Sequence, residues 1–119
     1  MPEIDLRIRH SEFSPMVVRM RQGWPYIFRI RNRDDRGHVF RAHDFFTNVA
    51  VLQTTVGGRE DKTECYGALW VPAHETAVIK LVAAVDGHYE YEDLPISLLA
   101  GFSSGPDGVI IIEERKSRI

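Results

Sequence analysis

Between Gly87 and Asp93 the side chains change character at every residue. Tyr89 and Tyr91 fall on one side of an extended chain, Glu90 and Glu92 on the other. A strict period of two specifies a strand with one face buried. Asp93 continues the tyrosine side, where the strand opens into the loop that begins Leu94-Pro95-Ile96. The chain then closes through Gly105-Pro106-Asp107-Gly108 into Val109-Ile110-Ile111-Ile112. Such a β-branched run suits a strand buried on both faces or at the heart of a sandwich. The last third therefore reads as strand, loop, strand.

The same alternation recurs upstream. Ile4, Leu6 and Ile8 oppose Asp5, Arg7 and Arg9; Val18 and Met20 oppose Arg19 and Arg21; Tyr26, Phe28 and Ile30 oppose Arg29 and Arg31. Phe13 is expected to plug the core, and Met16 to share the core face of Val18 and Met20. Were these three strands in one sheet, their arginines would form an outer ladder, with repulsion between direct neighbours unless acids such as Asp5 interleave. Asp44 is placed to cap a short helix through Val49, so a short helix or turn is expected near residues 43–49. Further strands are expected at Val49–Thr55 and, extended, at Cys65–Val71. Gly57–Thr63 reads as a polar loop and Pro72–Glu75 as a turn. Trp24 and Trp70 are read as core or sheet-edge residues, His10 as a strand end, His88 as part of a turn, and Lys116–Ile119 as a frayed tail. The expected architecture is an all-β Greek-key sandwich of seven to eight strands.

Composition narrows the function classes. The 119 residues suit one domain spanning 1–119, with a core over about 3–114 and a tail over 115–119. No apolar run approaches the roughly 20 residues that span a bilayer. Cys65 is the only cysteine, so no internal disulfide is available. The net charge is −2, unevenly spread: residues 1–41 carry nine arginines against five acids, the rest six basic residues against twelve acidic ones. Solvated strand faces account for this; the sharper alternative is an arginine-lined sheet that docks an acidic partner. No nucleophile–base–acid set, phosphate loop or nucleic-acid motif is present, so neither an enzyme nor a nucleic-acid binder is expected.

Read together, these segments resemble the cupredoxins. The strand Gly87-x-Tyr89-x-Tyr91 followed by Asp93 is similar to the family's G-x-Y-x-(Y/F)-x-C. The stretch Phe13-x-Pro15-x-x-Val18-x-Met20-x-x-Gly23 is similar to its F-x-P-x-x-(I/V)-x-V-x-x-G. Asn32 precedes His38 as the family's asparagine precedes its first copper histidine. Ala42-His43-Asp44-Phe45-Phe46 resembles the A-P-x-F-F of a bacterial subgroup, and Val71–Thr76, with His74 at or beside the usual glycine, resembles a family turn. The resemblance covers about residues 13–113.

The resemblance implies a copper site in which His38 keeps the first histidine position. Asp93 stands at the cysteine, Ile96 at the second histidine and Pro106 at the methionine. Blue copper needs a thiolate and two imidazoles, so no blue-copper centre and no electron transfer of the usual kind are expected. Two readings of the pole remain. Metal (copper, or zinc or iron) could bind a remodelled site of His38 and Asp93, with His43, Asp44 or Glu92 adding a ligand. Alternatively His38 and Asp93 form a relic hydrogen-bonded pair. The resemblance implies an exported, periplasmic accessory or binding protein; the alternative is an electron carrier with a non-standard copper site. Leu94, Ile96, Leu98, Leu99 and Phe102 make an unusually apolar loop, read as the surface for a protein partner or a homodimer. Leu98→Asp with Leu99→Asp is expected to weaken self-association or partner binding. Unchanged sedimentation and partner retention would count against that surface.

Overall fold

A computed structural model of the chain describes residues 1–61, 67–93 and 106–115. Cys65 and the apolar residues Leu94, Ile96, Leu98, Leu99 and Phe102 lie outside the described residues. Among those described are eleven strands and one short helix, and the count exceeds seven to eight partly because two strands have only three and two residues. The first sheet has the order β2 (Glu12–Ser14), β1 (Glu3–Arg9), β4 (Pro25–Asn32), β9 (Thr76–Val82), β6 (Ala50–Val56), β7 (Arg59–Glu60). The second runs β3 (Val17–Arg21), β11 (Gly108–Glu113), β10 (Gly87–Asp93), β5 (His38–Arg41), β8 (Ala68–Val71). Two pairs, β1 with β4 and β3 with β11, are parallel; the others are antiparallel.

Alternation sets which side of each strand is buried. Leu6, Ile8, Phe28, Ile30, Ile79 and Leu81 bury from the first sheet, and Val18, Met20, Phe40, Leu69, Tyr91 and Ile110 from the second. Only the Ile110–Ile112 side of β11 is fully buried; Val109 and Ile111 are half-buried, because nothing described covers the second sheet's outer face. The arginine strands divide. β1 and β4 are register partners, but β3 belongs to the other sheet, so Arg19 and Arg21 leave the ladder and Arg19 pairs with Glu113. Met16 precedes β3 rather than joining its core side and is exposed.

Several local features also depart from expectation. The helix α1 (His43–Thr47) starts after Ala42 with no side-chain cap; Asp44 lies inside its first turn. Thr47 and Asn48 instead send side-chain hydrogen bonds back to the carbonyls of His43 and Asp44. Gly57 and Gly58, both at positive φ, form the two-residue turn of a hairpin joining β6 to β7, so that part of the polar segment is ordered. His88 lies within β10 with its side chain outward; Trp24, about half exposed, sits in the turn between β3 and β4, whereas Trp70 stands on β8, a sheet-edge strand among the described residues, as expected.

Phe13 is buried as expected and meets Tyr91 edge-on at 5.1 Å. Tyr91 in turn lies so close over Gly108 that a Cβ there would come within 2.2 Å of the tyrosine oxygen. That approach draws the start of β11 against the end of β10, at the pole where His38 and Asp93 meet.

A buried carboxylate–imidazole–carboxylate chain

Asn32, the last residue of β4, is buried and organises the turn that follows. Its Nδ2 donates to the carbonyls of Arg36 (2.9 Å), Val71 (3.0 Å) and Pro72 (3.2 Å). Its Oδ1 accepts the Asp34 amide at 2.9 Å, a side-chain turn two residues long. This holds Asp34 over the first residue of β5, His38. From the opposite side, His10 and Ser11 adopt left-handed φ values of 53° and 62°. Their amides both donate to Asp34, at 2.6 Å to Oδ1 and 2.9 Å to Oδ2. Sequential amides aimed at one anion form a concave nest, here filled by the chain's own carboxylate.

His38 has no exposed surface. Its Nε2 lies 2.8 Å from Asp34 Oδ2, and its Nδ1 is hydrogen-bonded to Asp93 Oδ2. Asp93 is 3 % exposed, and its second oxygen accepts the Val39 amide at 3.2 Å. The chain of contacts continues: the Asp93 amide donates to Asp107 Oδ2 at 2.7 Å, and the Asp107 amide to the Tyr91 carbonyl. An imidazole flanked by two carboxylates satisfies three groups that would each be costly to bury alone.

The electrostatics follow from this arrangement. Burial works against the Asp34 anion. The Ser11 amide, the His38 imidazole and the His10 amide overcome it and hold the Asp34 carboxyl below the usual range. At Asp107 burial prevails, aided by the neighbouring Asp93 and Glu92 charges, and its carboxyl is pushed up. Burial likewise raises the Tyr91 hydroxyl well above an ordinary phenol, with Asp107 adding to it.

The sign for stability is set by the direction of each shift. The depressed Asp34 stabilises the fold fully above about pH 4, the usual aspartate value. That contribution fades as pH falls toward its lower folded value. Asp107, being raised, opposes folding while ionised and ceases to as it protonates. Asp34→Asn is therefore expected to be less stable than the parent at neutral pH and to lose less on acidification. Asp107→Asn is expected to be neutral or stabilising at pH 7. Urea midpoints measured across the acid range check both; parallel curves for Asp34→Asn and its parent would refute the first.

His38 and Asp93 are thus together, as the sequence led us to expect. His43 is not part of the group: it is exposed at the start of α1 and its Nδ1 lies 3.3 Å from Asp44. Its backbone packs against Gly67, where φ is +80° and a Cβ would come within 2.8 Å of the His43 Cα. Glu92 points outward and pairs with Arg41 at 3.3 Å. Asp34 and Asp107 are the participants that sequence reasoning missed, and Asn32 was noted there only for its place before His38. The Asn32-x-Asp34 spacing, typical of a side-chain-stabilised turn, was the available signal for Asp34.

The donor set does not suit blue copper. The described side-chain partners of His38 are the carboxylates of Asp34 and Asp93, hard oxygen donors, whereas blue copper takes a thiolate. Asp34 and Asp93 approach different nitrogens of the imidazole rather than a common point. Among the described residues no group of three or more His, Cys, Asp or Glu converges to hold a metal ion.

No family model and no curated protein matches the chain. Solved structures do. A multicopper oxidase from Pediococcus acidilactici aligns over 96% of this chain at a TM-score of 0.66 and 15% identity. The match spans 26% of the oxidase's length, so this chain corresponds to about a quarter of it. Auracyanin B aligns over 94% of this chain and 88% of its own, with a TM-score of 0.59 and 13% identity. A mutant of amicyanin in its reduced Cu(I) form aligns over 93% of this chain and 82% of its own, with a TM-score of 0.52 and 16% identity. At such identities the likeness is one of fold, and the fold is cupredoxin-like.

Proposed function

We propose that this cupredoxin-fold chain is a binding module, not an enzyme, in which a hydrogen-bonded side-chain chain stands where the fold carries blue copper. The observation that carries the reading is His38, wholly buried with a carboxylate on each ring nitrogen. In this reading Asp93 has taken the thiolate's place and the pole is closed by Asp34, His38 and Asp93, so function resides on the surface. The resemblance to exported copper proteins is the basis for reading the chain as exported and as an accessory to copper or iron handling. Among the described residues no helix is long and apolar enough to cross a membrane.

A metal reading rests on the same atoms. An ion would enter in place of the proton between His38 Nδ1 and Asp93, with the imidazole and one carboxylate as its protein donors. Two donors are half of what a closed zinc site takes, which is about four. The closed hydrogen-bonded chain is therefore the better supported state. The test is optical. Purified protein given Cu(II) should show no intense thiolate-to-copper band and no reversible redox wave. A strong band with reversible electron transfer would replace this reading with that of an electron carrier.

A further inference from the structure

The outer face of the first sheet is charged unevenly along its length. At the start of β1, Glu3 pairs with Arg29 at 2.8 Å and Asp5 with Arg31 at 3.2 Å. At its far end no such match exists among the described residues. Arg7 stands opposite Arg31 in parallel register. Arg9 follows it, and Arg33 enters beside Ile8, whose carbonyl accepts its amide at 2.8 Å. Among the described residues Arg7, Arg9 and Arg33 have no carboxylate partner, and Arg36 reaches only the Ser11 hydroxyl. The nearby acids are engaged elsewhere, Asp34 with His38 and Asp35 with His74, while Glu12 makes no ion pair with its register partner Arg9.

Beside this cluster runs an open groove of about 660 Å³, lined by Arg7, Arg9, Glu12, Phe13, Met16 and Val17 among others, so that two arginines face one carboxylate in its wall. Met16 is 63% exposed and Val17 45%. β2 and β3, whose residues border the groove, are each one of the two edge strands of their sheet among the described residues. Among the described residues, guanidinium groups without a carboxylate partner, an exposed apolar strip and unpaired strand edges thus share one place.

We propose that this groove docks an extended, carboxylate-rich segment of a partner protein. The arginine forks take its carboxylates, Met16 and Val17 take its apolar side chains, and an edge strand supplies backbone pairing. Nucleic acid fits less well. Among the described residues the exposed large aromatics on which bases could stack, Trp24 and Trp70, lie on the β3–β4 turn and on β8, and the whole chain carries a net charge of −2. The inference deepens the reading of the chain as a binding module by naming a surface and a partner chemistry. A copper band would overturn that reading and leave the groove's own test unaffected.

The test uses a labelled synthetic glutamate–leucine peptide, with oligothymidine and phosphatidylserine vesicles as competing probes. The peptide should bind the full chain at low salt and weaken as salt screens the contact. Arg7→Glu with Arg9→Glu should weaken binding by about tenfold or more, as expected where charge complementarity carries recognition. Arg59→Glu with Arg115→Glu makes the same charge change elsewhere and should leave binding within about twofold. Met16→Asp should weaken the peptide while leaving the thermal midpoint unchanged. Failure of the parent to bind, equal weakening in both double variants, or preference for oligothymidine or vesicles would each overturn the proposal.

Discussion

Replacing His38 with leucine is expected to lower stability by about 3–5 kcal/mol at neutral pH, the cost of removing one member of a buried charged group. The substitution strands Asp93, which is 3 % exposed, against an apolar side chain, and takes from Asp34 its one side-chain partner among the described residues. A second signature separates this cause from simple loss of packing. Burial without a partner favours the neutral form of a carboxyl group, so the variant should recover part of its deficit as pH falls. Adding Asp93→Leu should also return part of the loss, because a buried charge left unpaired costs more than an apolar pair in its place. Urea unfolding of the two variants and their parent, at neutral and mildly acid pH, reads both effects. A deficit independent of pH and unrelieved by the second substitution would mean that the chain of contacts contributes little.

Phe40→Ala is expected to cost about 3–5 kcal/mol, the usual loss on removing a buried aromatic ring. Phe40 is fully buried in β5, two residues after His38. Its ring meets Tyr91 at 5.0 Å, Phe28 and Phe46 at 6.0 Å and Phe13 at 6.3 Å, joining both sheets and the helix. A domain of ordinary stability has only about 5–15 kcal/mol in hand, so the variant should unfold at markedly lower urea. Val39→Ala, on the outer side of the same strand opposite Trp70, should cost about 1 kcal/mol or less. Similar losses from the two would place the core elsewhere.

What could be read from sequence was what local periodicity records. The tyrosine side of β10, Phe13 as a core residue and a short helix near residues 43–49 are all properties of neighbouring residues. His38 and Asp93 were brought together by the family resemblance, which supplied the long-range pairing that periodicity lacks. The division of the arginine strands between two sheets was not legible, because β3 pairs with β11, far along the chain, and alternation is identical whichever sheet receives a strand. Asp34 was missed for a different reason. It looked like one charge in a polar turn, and only the Asn32 hydrogen bonds and the left-handed His10 and Ser11 turn it onto the imidazole. Met16 was misplaced because the chain turns at Pro15 and β3 begins at Val17, leaving the methionine outside the strand's alternation.

The measurement that bears most directly on this account is a crystal structure of the chain grown with excess Cu(II). The account predicts His38 hydrogen-bonded to Asp34 through Nε2 and to Asp93 through Nδ1, with both contacts intact. A copper ion bound to His38, with either carboxylate displaced, would contradict it.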